Sequence, residues 1–182
     1  MTDNAPSRDS NDLTLSLRVA DLPNRVGITF RMMPDAKSRA KLAEQLGVRK
    51  LRKLLFAGSL RPEGRHDWRL EGMLGATAVQ DCVITSDPVT TRIDETVVRR
   101  YIRQLPAIED VEVEIPEDDS IEQLPPIIEL GEVLIEALAL ALPDYPRVEG
   151  ATLDAEALGL DTQDPERRNP FAALAALKDK DD

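Results

Sequence analysis

Between Arg25 and Arg69 the chain carries 12 Lys and Arg against 4 Asp and Glu, a net of +8, and Arg49-Lys50-Leu51-Arg52-Lys53 is the densest run. Cations at this density can neutralise phosphates without touching base edges, which gives salt-sensitive and sequence-tolerant binding. Arg49, Lys50, Arg52, Lys53, Arg61 and Arg65 are therefore the candidates for RNA contact, against the plainer reading of a solvated helix end and strand face. From Glu109 to Asp182 the balance reverses, with 5 basic against 21 acidic residues. There Glu112, Glu114, Glu117, Asp118 and Asp119 form an acidic stretch suited to a basic protein partner. A basic segment for an acidic partner and an acidic tail are one reading of this division. A highly charged protein whose halves partly neutralise each other is the other.

Catalytic constellations are missing. His66 is the sole histidine and sits in a turn between Arg65 and Asp67, as a solvated loop residue rather than a base. Cys82 has no histidine near it in sequence and reads as a small buried hydrophobe at a strand end. No GxGxxG, P-loop, HExxH or CxxC occurs, and Glu117-Asp118-Asp119 does not have EF-hand spacing. No enzyme, cofactor or metal site is expected.

These groups must be held by elements, and the strongest is the apolar run Ile127 to Leu142. Its polar face is only Glu132 and Glu136, one turn apart, and Pro143 stops it. A helix with so narrow a polar face must be covered on most sides, by its own sheet or by a second chain. Asp35 to Leu46 reads as a second helix, with Pro34-Asp35 as start and Gly47 as stop. Leu13 to Val19 and Val26 to Met32 alternate as strands. Leu51 to Arg61 is a strand with basic residues interleaved, and 62–66 is turn chemistry. Asp67 to Val83 is a long strand with Trp68, Leu70, Gly72, Leu74, Ala76 and Ala78 on one face. Gly72 and Gly75 suit a bulge or sharp bend there. Pro88 to Ile93 and Thr96 to Ile102 continue the pattern.

The expected fold is α+β: a bent, barrel-like antiparallel β-sheet with an early helix and a late apolar helix packed on it. One core domain over 13–145 fits the length of 182 residues and the 42% hydrophobic content. Residues 1–12 are expected to be disordered, and 146–182 to be a flexible acidic tail with a short helix near 169–178. Asn169 and Pro170 suit the start of that helix. Aromatics make up only 3% of the chain, which argues against an extended stacking surface for single-stranded nucleic acid. One cysteine allows no internal disulfide, the opening Met1 to Pro6 lacks a secretion-signal pattern, and no apolar run reaches membrane length. A cytoplasmic protein is expected, with no membrane partner and no small-molecule substrate.

An ordered set of blocks carries a family resemblance. Arg69-Leu70-Glu71-Gly72-Met73-Leu74-Gly75-Ala76 leads into Gln80-Asp81-Cys82-Val83-Ile84-Thr85-Ser86-Asp87-Pro88-Val89. Ile128-Glu129-Leu130-Gly131-Glu132 then runs to Ala141-Leu142-Pro143, and Asn169-Pro170-Phe171-Ala172-Ala173-Leu174 follows. Over roughly residues 13 to 178 the chain resembles the YceD family, the large ribosomal RNA subunit accumulation proteins. The resemblance implies a bacterial, non-enzymatic factor that supports 23S ribosomal RNA accumulation and large-subunit assembly. Its partner would be ribosomal RNA or a large-subunit ribosomal protein. The alternative is an adaptor that binds a basic ribosomal protein through the acidic C-terminal half and never touches RNA. Many relatives carry a second cysteine near the position of Cys82 and further pairs after the Leu-Pro that ends the long helix. Such pairs suit zinc; here the region from Pro143 to Pro170 has none, so a metal site does not carry over.

Overall fold

The computed structural model describes residues 7–23, 25–104 and 120–152. In chain order these form β1 (Ser7–Ser10), β2 (Ser16–Arg18), a 3-10 turn (Val19–Asp21), β3 (Ile28–Met32), α1 (Ala36–Gln45) and β4 (Lys50–Glu63). There follow β5 (Asp67–Asp81), β6 (Pro88–Ile102), β7 (Ile121–Gln123), β8 (Ile127–Glu129) and α2 (Leu130–Ala141). Six strands make one sheet in the order β1-β3-β4-β5-β6-β7, and β2 pairs with β8 in a separate ribbon. The fold is α+β, with two corrections to the expected sheet. It is mixed rather than antiparallel, because β1 runs parallel to β3 and β7 parallel to β6. It is not closed into a barrel: β1 and β7 are its two edges. The apolar face is covered by helices and the β2–β8 ribbon, so burial does not require closure.

Alternation decides which face is covered. Ile28, Phe30 and Met32 of β3, Phe56 and Leu60 of β4, Trp68, Leu70 and Leu74 of β5, and Ile93, Val97 and Tyr101 of β6 all belong to one buried cluster. Leu42 and Ala43 of α1, Leu17, Ile128, and Leu130, Val133, Leu134 and Leu138 of α2 complete it. The late helix is therefore buried by its own chain. Leu142, at the end of the apolar run, is only partly buried, because it has already left helical geometry as the C-cap.

Ile127 to Glu129, expected as the first turn of the late helix, pair with β2 instead. Two adjacent β-branched residues after Pro125-Pro126 favour the extended form. The early helix starts where capping chemistry puts it: the Ser38 N–H donates to the Asp35 carboxylate at 2.7 Å. Gly47 beyond its end takes φ +66.

The bulge sits elsewhere than expected. The register slips between Arg52 and Leu55 in β4, with Lys53 at φ 51, while β5 stays regular through Gly72 and Gly75. Gly72 is needed for space: a β-carbon there would come within 2.6 Å of the Phe56 ring. Phe56 and Phe30 lie with ring centroids 5.0 Å apart over this glycine-lined part of the sheet. β6 is one strand rather than two.

Within the stretch 1–12, expected to be disordered, Ser7–Ser10 add a polar edge strand to β3. An edge strand is held by backbone hydrogen bonds and can lack an apolar stripe, so composition does not reveal it. After α2 the chain runs back along the sheet: Gln80 donates to the Pro143 carbonyl at 3.0 Å, and the Val83 N–H to the Pro146 carbonyl at 3.0 Å. The expected tail thus begins with packed residues, Pro146 being buried. The terminal helix near 169–178 and the rest of the tail lie outside the described residues, as do Glu112, Glu114, Glu117, Asp118 and Asp119. Among the described residues no helix is long and apolar enough to cross a membrane.

Candidate nucleic-acid interface

The sheet's second face lies opposite the core and carries many exposed side chains. Its side chains are those of opposite parity: Thr29 and Arg31 from β3, Ala57, Ser59 and Arg61 from β4, Arg69, Glu71 and Met73 from β5, and Arg92, Thr96 and Arg100 from β6. Met73, at 53% exposure, stands near its centre.

Three adjacent strands each place an arginine in one cross-strand row. Arg61 faces Arg69, and Arg69 faces Arg100. Like charges directly opposite each other cost stability in a sheet. Two carboxylates offset that cost. Glu71 is 2.8 Å from Arg69, and Glu63 is 3.1 Å from Arg100 and 4.0 Å from Arg69. Arg61 pairs with no carboxylate among the described residues, and its aliphatic stem lies against Gly27, where a β-carbon would approach Arg61 Cγ to 2.8 Å.

Arg99, one residue from Arg100, belongs to the other face and is committed there. It is 3.1 Å from Glu122 and 2.7 Å from Glu136 of α2. That pair explains one of the two polar positions on the apolar helix. Beside it, burial raises the Tyr101 hydroxyl to about 12, so it stays protonated.

The six basic residues picked out by the sequence fall into two groups. Arg49, Lys50, Arg52 and Lys53 lie at the start of β4. Arg49 is ion-paired with Asp81 and donates to the Ser86 carbonyl at 3.1 Å, so it braces the β5–β6 turn. Lys50, Arg52 and Lys53 are exposed, and Arg52 is followed across the strands by Thr77 and Arg92. Asp94 holds Arg92 in an ion pair. Arg61 and Arg65 lie at the other end of β4. At about 3.3 Å per residue the two groups are roughly 30 Å apart, several Debye lengths at physiological salt. They are two patches.

At the second patch the structure adds Arg69, Arg100, Arg103 and His66, which a search for basic runs overlooks. Strand parity is the signal that finds Arg69 and Arg100: each is out of phase with the buried residues of its strand. Arg65 and His66 are exposed in the turn after Glu63, where Gly64 takes φ +70. Arg103 Nη1 lies 3.3 Å from His66 Nδ1, and the Arg103 N–H donates to the Asp67 carboxylate at 2.9 Å.

Other chemistry is sparse. Cys82 is 2% exposed, and its sulfur accepts from the Thr85 N–H at 3.5 Å and the Val148 N–H at 3.4 Å. Hydrogen bonding from Thr85, then from Val148, lowers its thiol to about 7, yet its burial keeps it from acting as a ready nucleophile. Among the described residues no three His, Cys, Asp or Glu side chains converge as metal ligands do.

Residues 70–178 match the model of the family described as Large ribosomal RNA subunit accumulation protein YceD. No curated protein matches the chain. No solved structure matches it either. The family match begins within β5, takes in β6 and α2, and covers more than half of the sequence, so this chain belongs to the YceD family.

Proposed function

We propose that the protein is a non-enzymatic factor in large ribosomal subunit biogenesis that supports 23S ribosomal RNA accumulation by binding RNA phosphates on the second face of its sheet. Family membership supports the link to the large subunit. The observation that carries the RNA contact is the cross-strand row of Arg61, Arg69 and Arg100 on the sheet face opposite the core. A fold optimised only for stability would not set three arginines opposite one another, and departures of this kind mark functional surfaces. Guanidinium groups suit the purpose, because each offers a planar fork of donors to phosphate oxygens. The net charge of −11 does not oppose this, since phosphate contact depends on the local field within about 10 Å. The acidic remainder would instead repel RNA from other surfaces and so orient the protein on it.

Binding to a 23S ribosomal RNA fragment, measured against salt concentration, tests this reading. Arg61→Gln with Arg69→Gln should weaken binding and flatten the slope of log affinity against log salt by about 1.5. Unchanged affinity and slope would refute the assignment of this face. The rival reading, an adaptor for a basic ribosomal protein, draws on the acidic C-terminal half and predicts salt-sensitive protein binding with no RNA binding at all.

A further inference from the structure

We propose that the cleft at the β4–β5 turn seats a single unpaired ribonucleotide of the bound RNA; this rests on the RNA reading above and names the RNA feature the protein prefers. The cleft is about 730 Å³. Its lining combines the basic and polar Arg65, His66 and Arg103 and the acidic Asp67 with the apolar, stiff Pro125 and Pro126, and includes Trp68. It adjoins the arginine row, because Arg65 and His66 follow Glu63 of β4, and Arg103 follows Ile102 of β6.

Size and chemistry together select the ligand class. A phosphate or a carboxylate alone would leave most of this volume empty, and a duplex is too broad to enter it. The volume lies within the range of small-ligand sites, about 300–1,000 Å³. Bases splayed from a loop or bulge are recognised by stacking on aromatic or guanidinium planes and by hydrogen bonds to their edges. Trp68 is 4% exposed and contributes apolar lining rather than a stacking face, so His66 and Arg103 supply the planes. Arg65 and Arg103 have no carboxylate ion pair among the described residues. Asp67, the nearest acid in sequence, accepts the Arg103 backbone N–H instead. Two cations thus remain available to the phosphates flanking the base. Prolines in the lining need little ordering on binding. One such seat is compatible with a chain of only 3% aromatics, where a stacking tract is not.

The test uses the full-length protein and two fluorescein-labelled RNA hairpins, identical except that one carries a single bulged adenosine. Wild type should bind the bulged hairpin about tenfold more tightly than the paired one. Arg65→Gln with Arg103→Gln should reduce that preference to about twofold or less, while affinity for the paired hairpin falls by less than about threefold. Should the double variant fail to fold, His66→Ala carries the same expectation for the preference. Equal affinity of wild type for both hairpins would overturn the inference and leave the RNA reading standing. So would a preference that survives these substitutions, or an equal loss on both hairpins. Binding of neither hairpin at low salt would remove the RNA reading and this inference together. Loss of poly-glutamate binding in the double variant with RNA binding intact would assign the cleft to an acidic protein and overturn the proposal.

Discussion

Arg69 has two carboxylates within 4.0 Å, whereas Arg61, directly opposite it, has none among the described residues. These pairs are exposed, so they contribute little to stability and serve mainly to hold a row of like charges in place. The same separation of roles holds at Asp35 and Cys82. The Asp35 carboxyl lies below its ordinary 3.8, first because the Ser38 backbone N–H donates to its charged form. A carboxyl lowered by folding contributes stability that is full above its unfolded value and is lost as pH falls through the lowered one. Asp35→Ala should therefore lower the melting temperature by a few degrees at pH 7 and by less near pH 2. Asp35→Asn should keep most of the cap and flatten that pH dependence. Thermal unfolding followed by circular dichroism at both pH values checks this. At Cys82, burial should make alkylation by iodoacetamide much slower in the native protein than in denaturant. Cys82→Ser keeps an acceptor for the Val148 N–H and should leave the fold intact. Rapid native labelling would contradict the buried placement.

Among the elements, α2 separates residues that hold the core from residues that face solvent. Leu138 is fully buried and Leu140 is 78% exposed, two positions apart on one helix. Leu138→Ala should cost about 2–5 kcal/mol, and Leu140→Ala should fall within about 0.5 kcal/mol of wild type, both measured by urea unfolding. A large effect at Leu140 would mean that a partner covers it in solution. Gly131 opens the same helix where the chain passes closest: a β-carbon there would overlap the Leu13 carbonyl oxygen. That carbonyl is backbone and cannot rotate away. Gly131→Ala should therefore shift the N-terminal segment off the helix and destabilise more than helix propensity, which favours alanine, would suggest. Proteolysis should then cut first near Leu13.

For the whole molecule, charge decides between partners. Neutralising Lys50, Arg52 and Lys53 tests the patch at the start of β4, some 30 Å along that strand from the arginine row at strand spacing. If RNA spans both patches, this variant should weaken binding at every sequence tested, and its effect should add to that of Arg61→Gln with Arg69→Gln. If a basic ribosomal protein is the partner, neither change should matter. Neutralising Glu112, Glu114, Glu117, Asp118 and Asp119 should then slow association. Elemental analysis of the purified protein should find no stoichiometric transition metal, since Cys82 stands alone. Metal at one equivalent would call for ligands outside the described residues.

Much of this fold was legible from residue order. The period-2 pattern of Trp68 to Ala78 assigned the buried face of β5 directly, because a strand's side chains must alternate. Asp35 and Gly47 bracketed α1 through local capping, which needs no distant contact. The apolar excess of Val133 to Leu138 required burial, and the sequence left open whether the chain's own sheet or another chain supplied it. Tertiary structure alone decided that, along with everything that depends on which strands lie side by side. Ser7–Ser10 became a strand because β3 offered an edge, and Ile127–Glu129 because β2 did. The mixed sheet, the bulge at Lys53 and the make-up of the second face follow from the same pairings. So does the arginine row: Arg61, Arg69 and Arg100 are scattered along the sequence and meet only through the registers of β4, β5 and β6. Alternation is local and can be read along the chain. Register joins residues from different strands, so only the folded sheet could bring three separate cations to one place.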